Sequence, residues 1–196
     1  MMKSTRVAAV LCGGYLLATA SAWAESPSRA AMLSNTCAGC HGTNGASVGP
    51  SMPVISGMSE AFLLDSMKKF KSGERPSSIM GRLAKAYSDD ELKLVAEYFA
   101  KHPFVSAKQE TDPAKVAIGK QIHEQRCKKC HIDNGRDSED GSILGGQWKE
   151  YLQISMSEFR SGKRVMPKKM AEKMEGENKL TPEEVEAIIH FYASQK

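Results

Sequence analysis

An all-α fold built from two tandem, internally duplicated modules is what this 196-residue sequence predicts, and three observations predict it. A Cys-x-x-Cys-His motif occurs twice, 90 residues apart, beginning at Cys37 and at Cys127. Blocks of similar sequence recur around the two motifs at nearly the same spacing. Apolar residues repeat at three and four positions, the period of an amphipathic helix, and nothing alternates convincingly as a strand would.

The elements follow in order. Arg29 to Thr36 forms a short helix leading into the first motif. Glu60 to Phe70 is amphipathic and stops near Gly73. Ser88-Asp89-Asp90-Glu91 combines an N-cap hydroxyl with first-turn acids, and so starts a helix running from Leu92 to Ala100. The stretch from Lys101 to Lys115 carries two prolines and no apolar period. The second module then repeats the plan. Val116 to Arg126 leads into the second motif, and Trp148 to Phe159 ends near Gly162. Thr181-Pro182-Glu183-Glu184 caps a helix from Val185 to Ser194, with proline at its first position.

The internal match is read directly. Ile55-Ser56-Gly57 answers to Leu144-Gly145-Gly146, Ser66-Met67 to Ser155-Met156, and Phe70-Lys71-Ser72-Gly73 to Phe159-Arg160-Ser161-Gly162, each at an offset of 89. Glu97-Tyr98-Phe99-Ala100 answers to His190-Phe191-Tyr192-Ala193 at 93. Each copy is one repeat of a duplicated module.

Composition narrows the function. With 41% hydrophobic and 26% charged residues, the chain is globular in character and not disordered. A formal charge of +4 with no Lys/Arg run argues against nucleic acid as a partner. Lys3 and Arg6, the apolar stretch from Val7 to Ala20, and Ala22-Trp23-Ala24 have the layout of a secretory signal peptide cut after Ala24. That stretch falls short of the roughly 20 apolar residues of a membrane anchor, so no membrane span is expected. The predicted organisation is a signal peptide over 1–24, a first module over 25–103, a linker over 104–115 and a second module over 116–196. The expected location is the periplasm.

Removing the signal peptide takes Cys12 with it and leaves Cys37, Cys40, Cys127 and Cys130. Cys-x-x-Cys-His is the attachment signature of c-type haem. Two thiols about one helical turn apart reach the two vinyl groups of a single porphyrin, and the next residue projects its imidazole beneath the iron. Three other readings explain less. A disulfide within either pair leaves both histidines unexplained. A zinc site could use the same ligands, but its two pairs more often stand closer in sequence than 90 residues, and a thioredoxin-like motif needs a βαβ unit. Two covalent haem c groups are therefore expected, with His41 and His131 as proximal ligands.

The sixth ligand decides the chemistry, because a thioether closes the coordination sphere and raises the potential. In the first module Met80 stands on a loop before the cap at Ser88; Met52, Met58 and Met67 are the alternatives. In the second module Met166, Met170 and Met174 lie four apart. Met166 precedes Pro167 in a constrained loop, which favours it over Met170. His102, His123 and His190 read as core or surface imidazoles. No catalytic residue is expected.

At these residues the chain resembles a known family. The segments from Phe70 to Glu74 and from Ile79 to Lys85, together with Leu144 to Trp148, Met166 to Ala171 and Phe191 to Gln195, look like the dihaem cytochrome subunit of flavocytochrome c sulfide dehydrogenase. The duplicated layout more broadly resembles cytochrome c4. The resemblance implies two tandem class I cytochrome c domains with histidine–methionine ligation: His41 with Met80, and His131 with Met166. It also implies a heterodimer with a flavoprotein subunit that holds FAD and oxidises sulfide, and export of the electrons to a downstream cytochrome or oxidase. The alternatives are a free cytochrome c4-like shuttle to a terminal oxidase and, with less support from this methionine-rich chain, a dihaem peroxidase.

Overall fold

The computed structural model describes residues 27–138 and 140–196; the predicted signal peptide and Cys12 lie outside the described residues. The first module contains α1 (Arg29–Asn35), α2 (Ala38–His41), α3 (Glu60–Ser72), α4 (Met80–Ala84) and α5 (Asp89–Ala100). The second contains α6 (Pro113–Ile122), α7 (Lys149–Arg160), α8 (Lys168–Glu175) and α9 (Pro182–Ala193), with a small antiparallel hairpin of β1 (His131–Ile132) and β2 (Asp137–Ser138). In each module the helix before the motif crosses the carboxy-terminal helix, α1 on α5 and α6 on α9.

Both carboxy-terminal helices begin as their caps predict. The Ser88 hydroxyl accepts from the Glu91 amide at 3.2 Å, and the Glu91 carboxylate accepts from the Ser88 amide at 2.9 Å. Thr181 and Glu184 make the same reciprocal pair at 3.2 and 2.9 Å. Such a box satisfies two amides that the first helical turn leaves without partners. Helix α5 then buries Leu92, Val95, Ala96 and Phe99, a single stripe at helical spacing. Helix α9 is buried nearly all round from Ala187 to Ala193, because α6, α7 and the inter-module strap all lie against it.

Gly119 sets the approach of α6 to α9. A Cβ placed there would lie 2.2 Å from the Ala187 carbonyl oxygen. Gly119→Ala is therefore expected to force the helices apart and cost about 1–3 kcal/mol, as overpacked contacts do. Thermal melts of the holoprotein would show a lowered midpoint, and an unchanged one would mean that the helices tolerate separation.

Several elements differ from the sequence expectation. The motif itself forms α2, Met80 opens a short helix where a loop is predicted, and α8 covers Met170 and Met174. Helix α6 begins at Pro113, inside the stretch read as linker, because Asp112 caps it by accepting from the Ala114 amide at 2.9 Å. It ends in a π-helical turn over His123–Cys127.

The modules meet along a continuous interface. Gln147 is fully buried, accepting from the Val54 amide and donating to the Val54 carbonyl, both at 2.9 Å. The Trp148 indole donates to the Ser47 carbonyl at 3.1 Å, and the Ser59 amide to the Gly141 carbonyl at 3.0 Å. Gln109 straps the connecting segment down, donating to the Gln147 carbonyl at 2.8 Å and accepting from the Lys149 amide at 2.7 Å.

Candidate functional site

Each motif opens on its own cavity of about 330 Å³. In the first module Cys37 caps α2, and its carbonyl accepts from the Cys40 and His41 amides at 3.2 and 2.9 Å. This single turn brings Cys37, Cys40 and His41 to one cavity wall. His41 is 8% exposed, and its Nδ1 lies 2.9 Å from the Pro53 carbonyl oxygen. An Nδ1–H donating there leaves Nε2 with a lone pair to offer, the arrangement in which a second partner fixes a ligating imidazole. Burial lowers the His41 pKa, only partly opposed by the Pro53 carbonyl, so the ring is held in the neutral form that ligation requires.

The second motif brings its two cysteines and its histidine to a cavity by a different path. Cys127 closes the π-helical turn, Cys130 donates its amide to the Cys127 carbonyl at 3.1 Å, and His131 opens β1. All three side chains line the second cavity. Burial raises the thiol pKa of both Cys37 and Cys127. Cys37, Cys40, Cys127 and Cys130 are all free thiols. The two pairs serve separate cavities, and among the described residues no three His, Cys, Asp or Glu side chains form a metal-binding group. Neither the disulfide nor the shared zinc reading gains support.

The motifs are followed by matching turns. Asn44-Gly45 and Asn134-Gly135 take left-handed conformations, with both glycines at φ 83°. A Cβ on Gly45 would lie 2.9 Å from the Phe99 ring, and one on Gly135 2.6 Å from the Tyr192 ring. This Asn-Gly pair recurs 90 residues apart and extends the sequence repeat beyond the Cys-x-x-Cys-His motif.

Thioethers complete the picture. Met80 lines the first cavity with His41, as do Met52, Met58 and Met67; of these Met58 is 5% exposed and belongs to the core of its module. In the second module Met170 and Met174 line the cavity, while Met166 packs against the adjoining hydrophobic core. Met174 is 5% exposed and belongs to that core. Met170 lies 90 residues after Met80, and Met174 90 after the fully buried Ala84. An apolar cavity carrying two thiols, an imidazole and a thioether fits a covalently held iron porphyrin, and it occurs twice.

The cytochrome c family model matches residues 28–102 and 116–196. The chain belongs to the cytochrome c family. A cytochrome c4 from Azotobacter vinelandii is 30% identical over 149 residues, 66% of this chain and 70% of that relative. The cytochrome subunit of sulfide dehydrogenase from Chlorobaculum tepidum is 47% identical over 72 residues, 37% of this chain and 64% of that relative, so the alignment spans less than two thirds of its length. The crystal structure of reduced recombinant cytochrome c4 from Pseudomonas stutzeri superposes with a TM-score of 0.71 at 24% identity, covering 85% of this chain and 98% of that one; it bears on the fold. This cytochrome c is therefore a dihaem, cytochrome c4-like electron-transfer protein with two tandem class I domains. No helix among its described residues is long and apolar enough to cross a membrane.

Three site features of this cytochrome c lie outside the sequence reading: Arg75, Tyr151 and Arg164. Arg75 and Arg164 are themselves a repeat pair at an offset of 89, two residues beyond Gly73 and Gly162. Extending the repeat past those glycines would have found them.

Proposed function

We propose that the chain is an exported electron carrier that accepts electrons from a sulfide-oxidising, FAD-containing flavoprotein subunit and passes them to a downstream cytochrome or oxidase. Its organisation is a leader over 1–24, haem domains over 25–103 and 116–196, and a linker over 104–115. The observation that carries the electron-carrier reading is the pair of cavities, each with two thiols, an imidazole and a facing thioether. Bound there, a haem supplies reversible one-electron iron chemistry. Cys37 and Cys40, or Cys127 and Cys130, hold it by thioether bonds. His41 and His131 present Nε2, and the apolar walls keep water away. Met80, which lines the first cavity with His41, would supply the thioether ligand in the first domain. In the second, the cavity lining and the repeat favour Met170 over Met166.

The sulfide-linked partner draws on the Chlorobaculum relative and on an apolar patch beside the first cavity. Ile79 and Leu83, 50% and 49% exposed, flank Met80, and exposed apolar groups at a cofactor edge suit the core of a partner interface. The test is stopped-flow reduction by sulfide with and without the flavoprotein. Rapid reduction is expected only with it. Rapid reduction of the cytochrome alone, or no association at micromolar concentration, would favour the free shuttle.

A further inference from the structure

The two modules differ behind their Cys-x-x-Cys-His motifs. In the first, Leu33, Cys37 and Phe99 belong to one apolar cluster. The repeat equivalents of Leu33 and Phe99, at offsets of 90 and 93, are His123 and Tyr192. A polar pair thus stands where the first module has an apolar one. Both residues are buried, at 2% and 5% exposure. His123 Nδ1 lies 3.1 Å from the Tyr192 hydroxyl, and the two rings meet edge-on at 5.6 Å. The backbone departs at the same place. The Leu33 carbonyl accepts from the Thr36 amide, three residues on, at 3.3 Å. The His123 carbonyl instead accepts from the Lys128 amide, five residues on, at 2.9 Å, and so closes the π-helical turn. Single π turns are frequent at functional sites.

This wide turn brings Cys127 to Tyr192. Cys127 packs against the core cluster that contains Tyr192, and both residues line the second cavity with His131. The Tyr192 and His131 rings lie 6.0 Å apart. Burial raises the Cys127 thiol pKa, and a hydrogen bond from the Tyr192 hydroxyl opposes it. A phenol has a single proton. When that proton points to sulfur, the contact with His123 has to be made by a proton on Nδ1. The chain then runs from Nδ1–H to the phenol oxygen, and from the phenol O–H to Cys127 Sγ. Burying an imidazole and a phenol costs free energy unless their polar atoms are paired. Hydrogen bonds in series inside a protein also polarise one another. Once Cys127 has added across a vinyl group its sulfur is a thioether, which still accepts weakly.

We propose that His123, Tyr192 and Cys127 form a hydrogen-bond relay specific to the second module, in which His123 aims the Tyr192 hydroxyl at the thioether sulfur of the second haem and raises the potential of that haem. A donor dipole directed at the porphyrin edge favours the ferrous state, which carries one more electron; hydrogen bonding around a haem is one of the levers that set its potential. The first haem faces Leu33 and Phe99 and has no such donor. The relay therefore biases an electron shared by the two haems toward the second. His123 and Tyr192 are positioning residues in this account. The proposal rests on the reading that Cys127 carries one of two haems.

The experiment is a spectroelectrochemical titration of the holoprotein and its variants, after two low-spin haems have been counted in each. Tyr192→Phe installs the residue of the first module. It is expected to lower the potential of the second haem and leave the first in place. His123→Leu should shift the second haem in the same direction, and His123→Asn, which keeps an N–H donor, should recover part of the shift. In a Tyr192→Phe background His123→Leu should add nothing, since the relay is already cut; a purely structural pair would add its effects. A second measurement needs no substitution. With ¹³C at the phenol carbon of Tyr192 alone, the C–O infrared band of the wild-type protein should move when the second haem is reduced and stay when the first is, and it decides the matter where a variant loses a low-spin haem. An unmoved band, equal shifts of both potentials in Tyr192→Phe, or additive effects in the double variant would overturn the relay. A wild-type protein with fewer than two haems would instead overturn the reading beneath it.

Discussion

Replacing Cys127 and Cys130 together by serine is expected to leave one haem per chain and an unfolded second module. The cavity to be filled measures about 330 Å³. Without the porphyrin the apolar wall of that cavity is left facing water, at a cost of about 25 cal/mol for each Å² exposed. Domains of this size have about 5–15 kcal/mol in all. Ile122, Leu152, Met174 and Ile188 form the core around the cavity, and without the porphyrin there is nothing to hold them apart. Hydrogen exchange should show lost protection across 116–196 with substantial protection kept over 28–102. Some loosening of the first module is expected too, since Val54 loses both its bonds to Gln147. Full protection of the second module without its haem would contradict this.

Met170→His is expected to lower the potential of the second haem on the order of a few tenths of a volt, within the roughly 0.8 V that axial ligands span, because imidazole favours ferric iron relative to thioether. Met166→His should leave that potential nearly in place. The ferric thioether-to-iron charge-transfer band gives an independent reading. It should vanish at the second haem in the Met170 variant and survive in the Met166 variant, and the opposite pattern would restore Met166 as the ligand.

The difference between these methionines shows where a sequence stops being readable. Pro167 after Met166 reads as a stiff loop, but the same proline serves as the N-cap of α8, and proline is equally at home just before a helix as within a loop. What separates the methionines is which one faces the cavity, a tertiary fact that appears in sequence only through the spacing from Met80. Cys37, Cys40, His41 and their counterparts are legible because covalent attachment demands one fixed spacing. Ser88 with Glu91, and Thr181 with Glu184, are legible because a cap is settled within four residues. The hairpin of β1 and β2 is not, since two-residue strands have no period to detect. Gln147 meets Val54 across 93 positions, and no local pattern encodes such a contact. Arg75, Tyr151 and Arg164 belong to the same class, with a meaning that depends on the two modules lying face to face.

This one chain is expected to carry two covalently bound haems, one in each half of the duplication. Intact-mass measurement of the exported protein under denaturing conditions tests it most directly. The expected result is the mass of the chain from Glu25 onward plus two haems, neither extractable by acidified organic solvent. A mass corresponding to one haem, or haem that leaves with the solvent, would contradict it.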